Sequence, residues 1–164
     1  MERVARTLRR SGGEDAAHLS ANAVNLARVT LRWLLAIFFI AAGANHFRSP
    51  QIYLGMMPPW LPWPETLNEI SGAAEILGGA GLIWPQPWTW PWSDAQARGR
   101  LRRGAGWGLL TLLVAIFPAN LHVAIQGKMP GFDFSPMVLW WRLPFQAVFM
   151  AAVWWVALAQ RRTD

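Results

Sequence analysis

Cysteine is absent from all 164 residues. That removes thiolate nucleophiles, disulfide exchange, Cys-bound zinc and Cys-held iron–sulfur clusters together. Tyrosine is nearly absent, at one residue against 12 tryptophans, and acidic residues are few, 9 against 15 Lys and Arg. A net charge of +6 could point to nucleic acid. Here, however, the arginines flank apolar segments, so topology and anionic lipid headgroups account for them, and no nucleic-acid partner is expected. Formal charge is missing altogether from Gly104 to Gly127, a run long enough to cross a bilayer as a helix.

What is present is apolar: 54% of residues are hydrophobic and 13% aromatic. Mean hydropathy is only +0.21, because polar ends and one basic stretch dilute the apolar segments. Four spans are predicted, at about 28–47, 67–84, 104–126 and 136–160, preceded by a polar tail over 1–27. The tail carries Arg3, Arg6, Arg9 and Arg10, then Glu14-Asp15, which is too long and too mixed in charge for a signal peptide. Between the first two spans lie four prolines in seven residues, Pro58 to Pro64, with Trp60 and Trp63. This stretch cannot be a regular helix; it lies along the membrane interface or folds over the mouth of the bundle. After the second span comes a Trp-rich stretch, 85–92, leading into a basic loop with Arg98, Arg100, Arg102 and Arg103. The fourth span starts at Ser135-Pro136, serine as N-cap and proline at the first helical position. A start at Pro144 would leave only about 22 Å of helix up to Leu158, short of a hydrocarbon core of about 30 Å.

Arginine placement sets the orientation. The tail, the central loop and the end of the chain hold most of the arginines, whereas the other two connections hold only Arg48 and Lys128. The fold class is therefore all-α, a four-helix transmembrane bundle with both termini cytoplasmic, and the lipid bilayer is its first partner.

Against that background the polar residues within the spans stand out. Glu75 lies in Ser71-Gly72-Ala73-Ala74-Glu75-Ile76-Leu77-Gly78-Gly79, and a carboxylate in hydrocarbon costs about 2–3 kcal/mol unless it is paired or hydrated. His46, Asn120, His122, Arg142 and Gln146 fall at a similar depth toward the same side. Glu75 with Arg142 is the ion pair this arrangement suggests, with the other four as hydrogen-bond partners. Two readings stay open: a structural network that fixes helix register, and a site for a small redox or anionic ligand. Haem between His46 and His122 has only two histidines at helix ends behind it, and no metal site is predicted.

The chain resembles the DoxX family of small membrane proteins at these residues. The matching pieces are Gly43-x-x-His46-Phe47, Met57-Pro58-Pro59 with Leu61-Pro62, and Ser71-Gly72-x-x-Glu75-x-x-Gly78-Gly79. They continue with Phe117-Pro118-Ala119-Asn120-x-His122-x-Ala124 and Arg142-Leu143-Pro144-x-Gln146. The resemblance implies a four-helix protein of the cytoplasmic membrane. It also implies a subunit of a membrane oxidoreductase that binds quinone or a small anionic or sulfur substrate, since some relatives belong to thiosulfate:quinone oxidoreductase or join membrane complexes that handle oxidative stress. The alternatives are a non-catalytic scaffold that recruits soluble or membrane partner subunits, a homo-oligomer included, and a small-solute transporter, for which four spans show no inverted repeat.

Overall fold

The computed structural model describes residues 2–84 and 95–159, with side chains from 18 to 84 and from 96 to 159. The described residues are mostly helical, with no named strand among them. Helix α1 runs Glu2–Arg48, α2 Pro50–Leu54, α3 Pro64–Ile83, α4 Ala95–Gln126 and α5 Pro136–Val153. The last of these widens into a π-turn over Trp154–Leu158, where the Ala159 N–H bonds the Trp154 carbonyl. Three helical stretches are long and apolar enough to cross a membrane: His18–Arg48, Gln96–Gln126 and Pro136–Leu158. Large hydrophobics such as Leu34, Ile37, Leu77, Val114, Ile125 and Val148 face outward, as lipid-facing side chains do.

Two boundaries differ from expectation. Residues 2–27, expected as a tail distinct from the first span, are helical and continuous with it. The four arginines expected in a loop before residue 104 lie on the first turns of α4, which begins at Ala95. Ala, Arg, Leu and Gln are strong helix formers, and isolated glycines cost too little to stop them. The Trp-rich stretch 85–94 lies outside the described residues. Helix α5 does start at Pro136 behind Ser135, whose extended backbone opens the helix, although its side chain makes no cap bond.

Packing follows small residues. Helix α3 lies against α1 and α4, α4 against α5, and the end of α5 returns to α1. In lipid, helices gain little from hiding apolar surface, so close van der Waals contact has to hold them together. At the α1–α3 crossing a Cβ on Gly43 would sit 2.6 Å from the Gly72 carbonyl oxygen, and one on Gly79 would sit 2.8 Å from that of Ala36. Only glycine allows the two backbones this close. Deeper along the helices, Leu35, Phe39, Leu82, Leu109, Val153 and Val156 form the main core.

The connector after α1 divides by chemistry. Met56 and Pro58 turn inward, Met56 packing with Val123 of α4 and Leu139 of α5, while Trp60 and Trp63 stay exposed. Of the two placements expected for this stretch, folding over the helix ends describes Met56, and a solvent or interface position describes the indoles. The second connector closes beside it, with Gly55 against Pro130 and Gly131 against Ile52.

Candidate functional site

Beneath this roof lies a cavity of about 330 Å³. Phe38, Phe39, Phe145 and Phe149 form much of its apolar wall, with Met56, Met57, Leu113 and Ile116. Phe38 stacks on Phe149 at 4.6 Å, and Phe39 meets Phe149 edge-on at 6.2 Å. The polar groups reach the cavity from several helices: His46 from α1, Tyr53 from α2, Ser71 and Glu75 from α3, Asn120 from α4, Arg142 and Gln146 from α5. Five of the six predicted site residues therefore meet in one place. The sixth, His122, does not line the cavity. It follows Asn120 by two residues, about 200° round the helix, so the two cannot face the same space. His46 and His122 consequently make no axial pair for haem.

The predicted Glu75–Arg142 ion pair is not formed. Arg142 donates from Nη2 to Asn120 Oδ1 at 3.2 Å and from Nη1 toward Met129 Sδ at 2.9 Å. Glu75 Oε2 instead lies 3.7 Å from His46 Nε2. Helix order explains the difference. Helices α3 and α5 each pack on α4 but not closely on one another, so Glu75 and Arg142 look into the cavity from opposite sides.

On the α4–α5 side the polar groups form a directed chain. Arg142 gives a hydrogen to Asn120, Asn120 Nδ2 gives one to Gln146 Oε1 at 3.2 Å, and Gln146 Nε2 donates to the Leu113 carbonyl. The next carbonyl, that of Val114, is the one whose usual helical partner is lost to Pro118, so the chain of bonds ends one residue from that break.

Asn68 organises the α1–α3 side, and it was missed in the sequence. Its Nδ2 donates to the His46 carbonyl at 3.1 Å, and its Oδ1 lies 2.8 Å from His46 Nδ1. Seven residues, two turns, separate Asn68 from Glu75, so the two share a face, and that spacing was the available signal. The His46 ring stacks on Tyr53 with centroids 3.6 Å apart. Tyr53 receives a hydrogen from Asn45 and gives its own to the Ala42 carbonyl. Burial is the main cause that raises the Tyr53 phenol above its ordinary range, the Asn45 bond opposing it, so the hydroxyl keeps its hydrogen. Glu75 Oε2 is buried and receives no hydrogen bond from the described residues.

Among the described residues no three His, Asp or Glu side chains gather as a metal ion would require. No curated protein and no solved structure matches this chain. A family model described as a domain of unknown function, DUF8561, matches residues 35–90 and 94–157, and the chain belongs to that family.

Proposed function

We propose that this protein is a four-helix integral protein of the cytoplasmic membrane, DoxX-like in architecture, whose cavity binds a small ligand as part of a membrane oxidoreductase. The ligand class that suits the walls best is a quinone-type ring. The observation behind this is the cavity itself: aromatic faces on its sides, and a carboxylate and a guanidinium on opposite walls. Ligand sites of this kind are mostly apolar with a few convergent polar groups, and about 330 Å³ falls at the small end of their range. A small sulfur anion would use Arg142 but would leave the phenylalanine walls without a role.

Helix α3 is the remaining span, the second in chain order, although it is not among the three stretches long and apolar enough to cross a membrane by composition alone. Its 20 residues reach about 30 Å, the thickness of the hydrocarbon core. Its polar residues Asn68 and Glu75 are buried, whereas Ile70, Ala73 and Leu77 face outward. Averaged hydropathy misses this inside-out pattern. Arg28, set over the Trp155 ring at 5.2 Å, and Arg102, close enough to Arg32 and Arg98 to feel their charge, mark the end away from the cavity. On the positive-inside rule that end is cytoplasmic, which puts both termini inside and the cavity toward the outer face.

Two measurements test the proposal. Reporter fusions after residues 20 and 95 should read cytoplasmic and fusions near 55 and 130 external; a cytoplasmic reading at 55 would falsify the four-span topology. Organic extraction of the purified protein, followed by mass spectrometry, should recover a quinone. Recovery of none, together with no thermal stabilisation by added short-tailed quinone or hydroquinone, counts against the ligand class.

A further inference from the structure

The geometry points to a preference within that class: we propose that the cavity binds the hydroquinone in preference to the quinone, because the Glu75–His46 pair on its α1–α3 wall, with Glu75 as carboxylate, offers hydrogen-bond acceptors and no hydrogen. The inference rests on the quinone reading above.

Asn68 fixes the tautomer of His46. A backbone carbonyl only accepts, so the Asn68 atom 3.1 Å from the His46 carbonyl has to be Nδ2. The atom 2.8 Å from His46 Nδ1 is then Oδ1, also purely an acceptor, which requires the hydrogen to be on Nδ1. Neutral His46 therefore presents a bare Nε2 lone pair, and that lone pair faces Glu75 Oε2 at 3.7 Å, too far for a direct hydrogen bond.

The consequences can be followed through the proton count. With no proton between them, Nε2 and the carboxylate are both acceptors. A proton on Glu75 would not be tied to Nε2 at 3.7 Å and would be free to serve a carbonyl. The preference therefore belongs to the carboxylate form, in which the pair has no hydrogen to give. Neighbouring groups do not supply it, since the Tyr53 hydroxyl is committed to the Ala42 carbonyl. The Ser71 hydroxyl, one turn before Glu75, gives or accepts equally well and so does not discriminate. The Glu75 side chain is 9% exposed, so bulk water is a poor substitute.

The opposite wall has the reverse character. A guanidinium carries five N–H groups and no acceptor, and the two bonds that Arg142 makes leave hydrogens to spare. A hydroquinone between the walls gives one O–H to Glu75 and accepts at its other oxygen from Arg142. The quinone satisfies Arg142 equally well, but it places a carbonyl lone pair against the lone pairs of Glu75. A site built to bond a hydroxyl discriminates strongly against an analogue that lacks it. Asn68 is thus a positioning residue: it acts through the His46 tautomer.

Anaerobic calorimetric titration of the full chain in nanodiscs tests this, using a short-tailed benzohydroquinone and the matching benzoquinone. The hydroquinone should bind roughly ten- to a hundredfold more tightly. Glu75→Gln should remove the preference, because its amide N–H can serve a carbonyl. Asn68→Leu frees His46 to carry its hydrogen on Nε2 and satisfy Glu75, so the ratio should shrink even where the affinity for the quinone holds. Equal affinities in the unmodified protein, or tighter quinone binding, overturn the inference and leave the quinone reading standing. Binding of neither form overturns both. The ratio in the unmodified protein decides the matter even if the variants fail to fold.

Discussion

On the α4–α5 side of the cavity Arg142, Asn120 and Gln146 pass hydrogens along a line that ends on the Leu113 carbonyl. On the α1–α3 side Asn68 holds His46 in place, yet the chain of bonds stops short of Glu75, whose buried Oε2 has no donor among the described residues. The first arrangement is what a structural network requires, because satisfied polar groups rigidify a core. The second costs stability, and buried groups left in that condition are a mark of sites that await a partner. The polar cluster therefore contains a satisfied strut and an unsatisfied wall; on the proposed function the wall is the part left for a ligand to complete, with Arg142 lending its spare hydrogens from the strut.

The largest expected effect comes from separating the binding wall from its backing. Gly43→Ala places a methyl group 2.6 Å from the Gly72 carbonyl oxygen, a backbone atom that cannot turn aside. Thermal unfolding in detergent should show a loss of about 1–3 kcal/mol, as overpacking does, and His46 should be displaced from Asn68 and Glu75. Gly108→Ala is the control. Its methyl meets nothing within 4 Å, so its effect should be the smaller. Equal losses would mean that the backbone approach at Gly43 is not what sets this wall.

Next comes the strut. Gln146→Leu removes both links of the side chain and leaves the Asn120 amide and the Leu113 carbonyl without that partner, at a cost of about 1–2 kcal/mol. Ligand response should survive in whatever fraction folds. If stability is unchanged, the α4–α5 chain is not structural and the contrast between the two sides fails.

How much of this was legible in the sequence depends on whether a feature is local. The Ser135-Pro136 start, the inward Glu75 and the depth shared by His46, Asn120, Arg142 and Gln146 could all be read, because helix signals and the cost of charge in hydrocarbon are local. Rotation about a helix axis was legible only where two residues share a helix: that Asn120 and His122 diverge was available from their spacing, and so was the common face of Asn68 and Glu75. Which helices sit diagonally was not available, because that depends on the glycines at the α1–α3 crossing and on connector packing. The predicted Glu75–Arg142 contact failed there. Polar character misled at the ends, where the arginines of α4 and the residues before 28 are helical in spite of it.

The strut and the wall should respond to mutation with opposite signs. Glu75→Gln removes a buried carboxylate whose Oε2 has no donor among the described residues, so stability should hold or rise by up to about 1 kcal/mol, while stabilisation by added hydroquinone falls away. Arg142→Gln, which cuts the strut at its donor, should instead lower stability. A drop of more than about 1 kcal/mol for Glu75→Gln would show that the carboxylate already has a strong partner in the folded protein, contrary to the account of this wall.

The smallest expected effect is the coupling between the two charges, and it bears most directly on the comparison. Both side chains face one cavity, so a mutant cycle could show strong coupling if they met, with the double variant recovering what the single ones lose. In the structure they do not meet. Arg142 is bound to Asn120 and Met129, while Glu75 faces His46. Residues without shared partners add to within about 0.3–0.5 kcal/mol. The cycle of Glu75→Gln and Arg142→Gln, followed by chemical unfolding of the ligand-free protein, should therefore be close to additive. Adding hydroquinone should change that, because one ring then touches both residues and each single substitution removes part of the same gain. Coupling that appears only with ligand identifies the cavity as the path between the walls; strong coupling without it would restore the direct ion pair and remove the distinction between strut and wall.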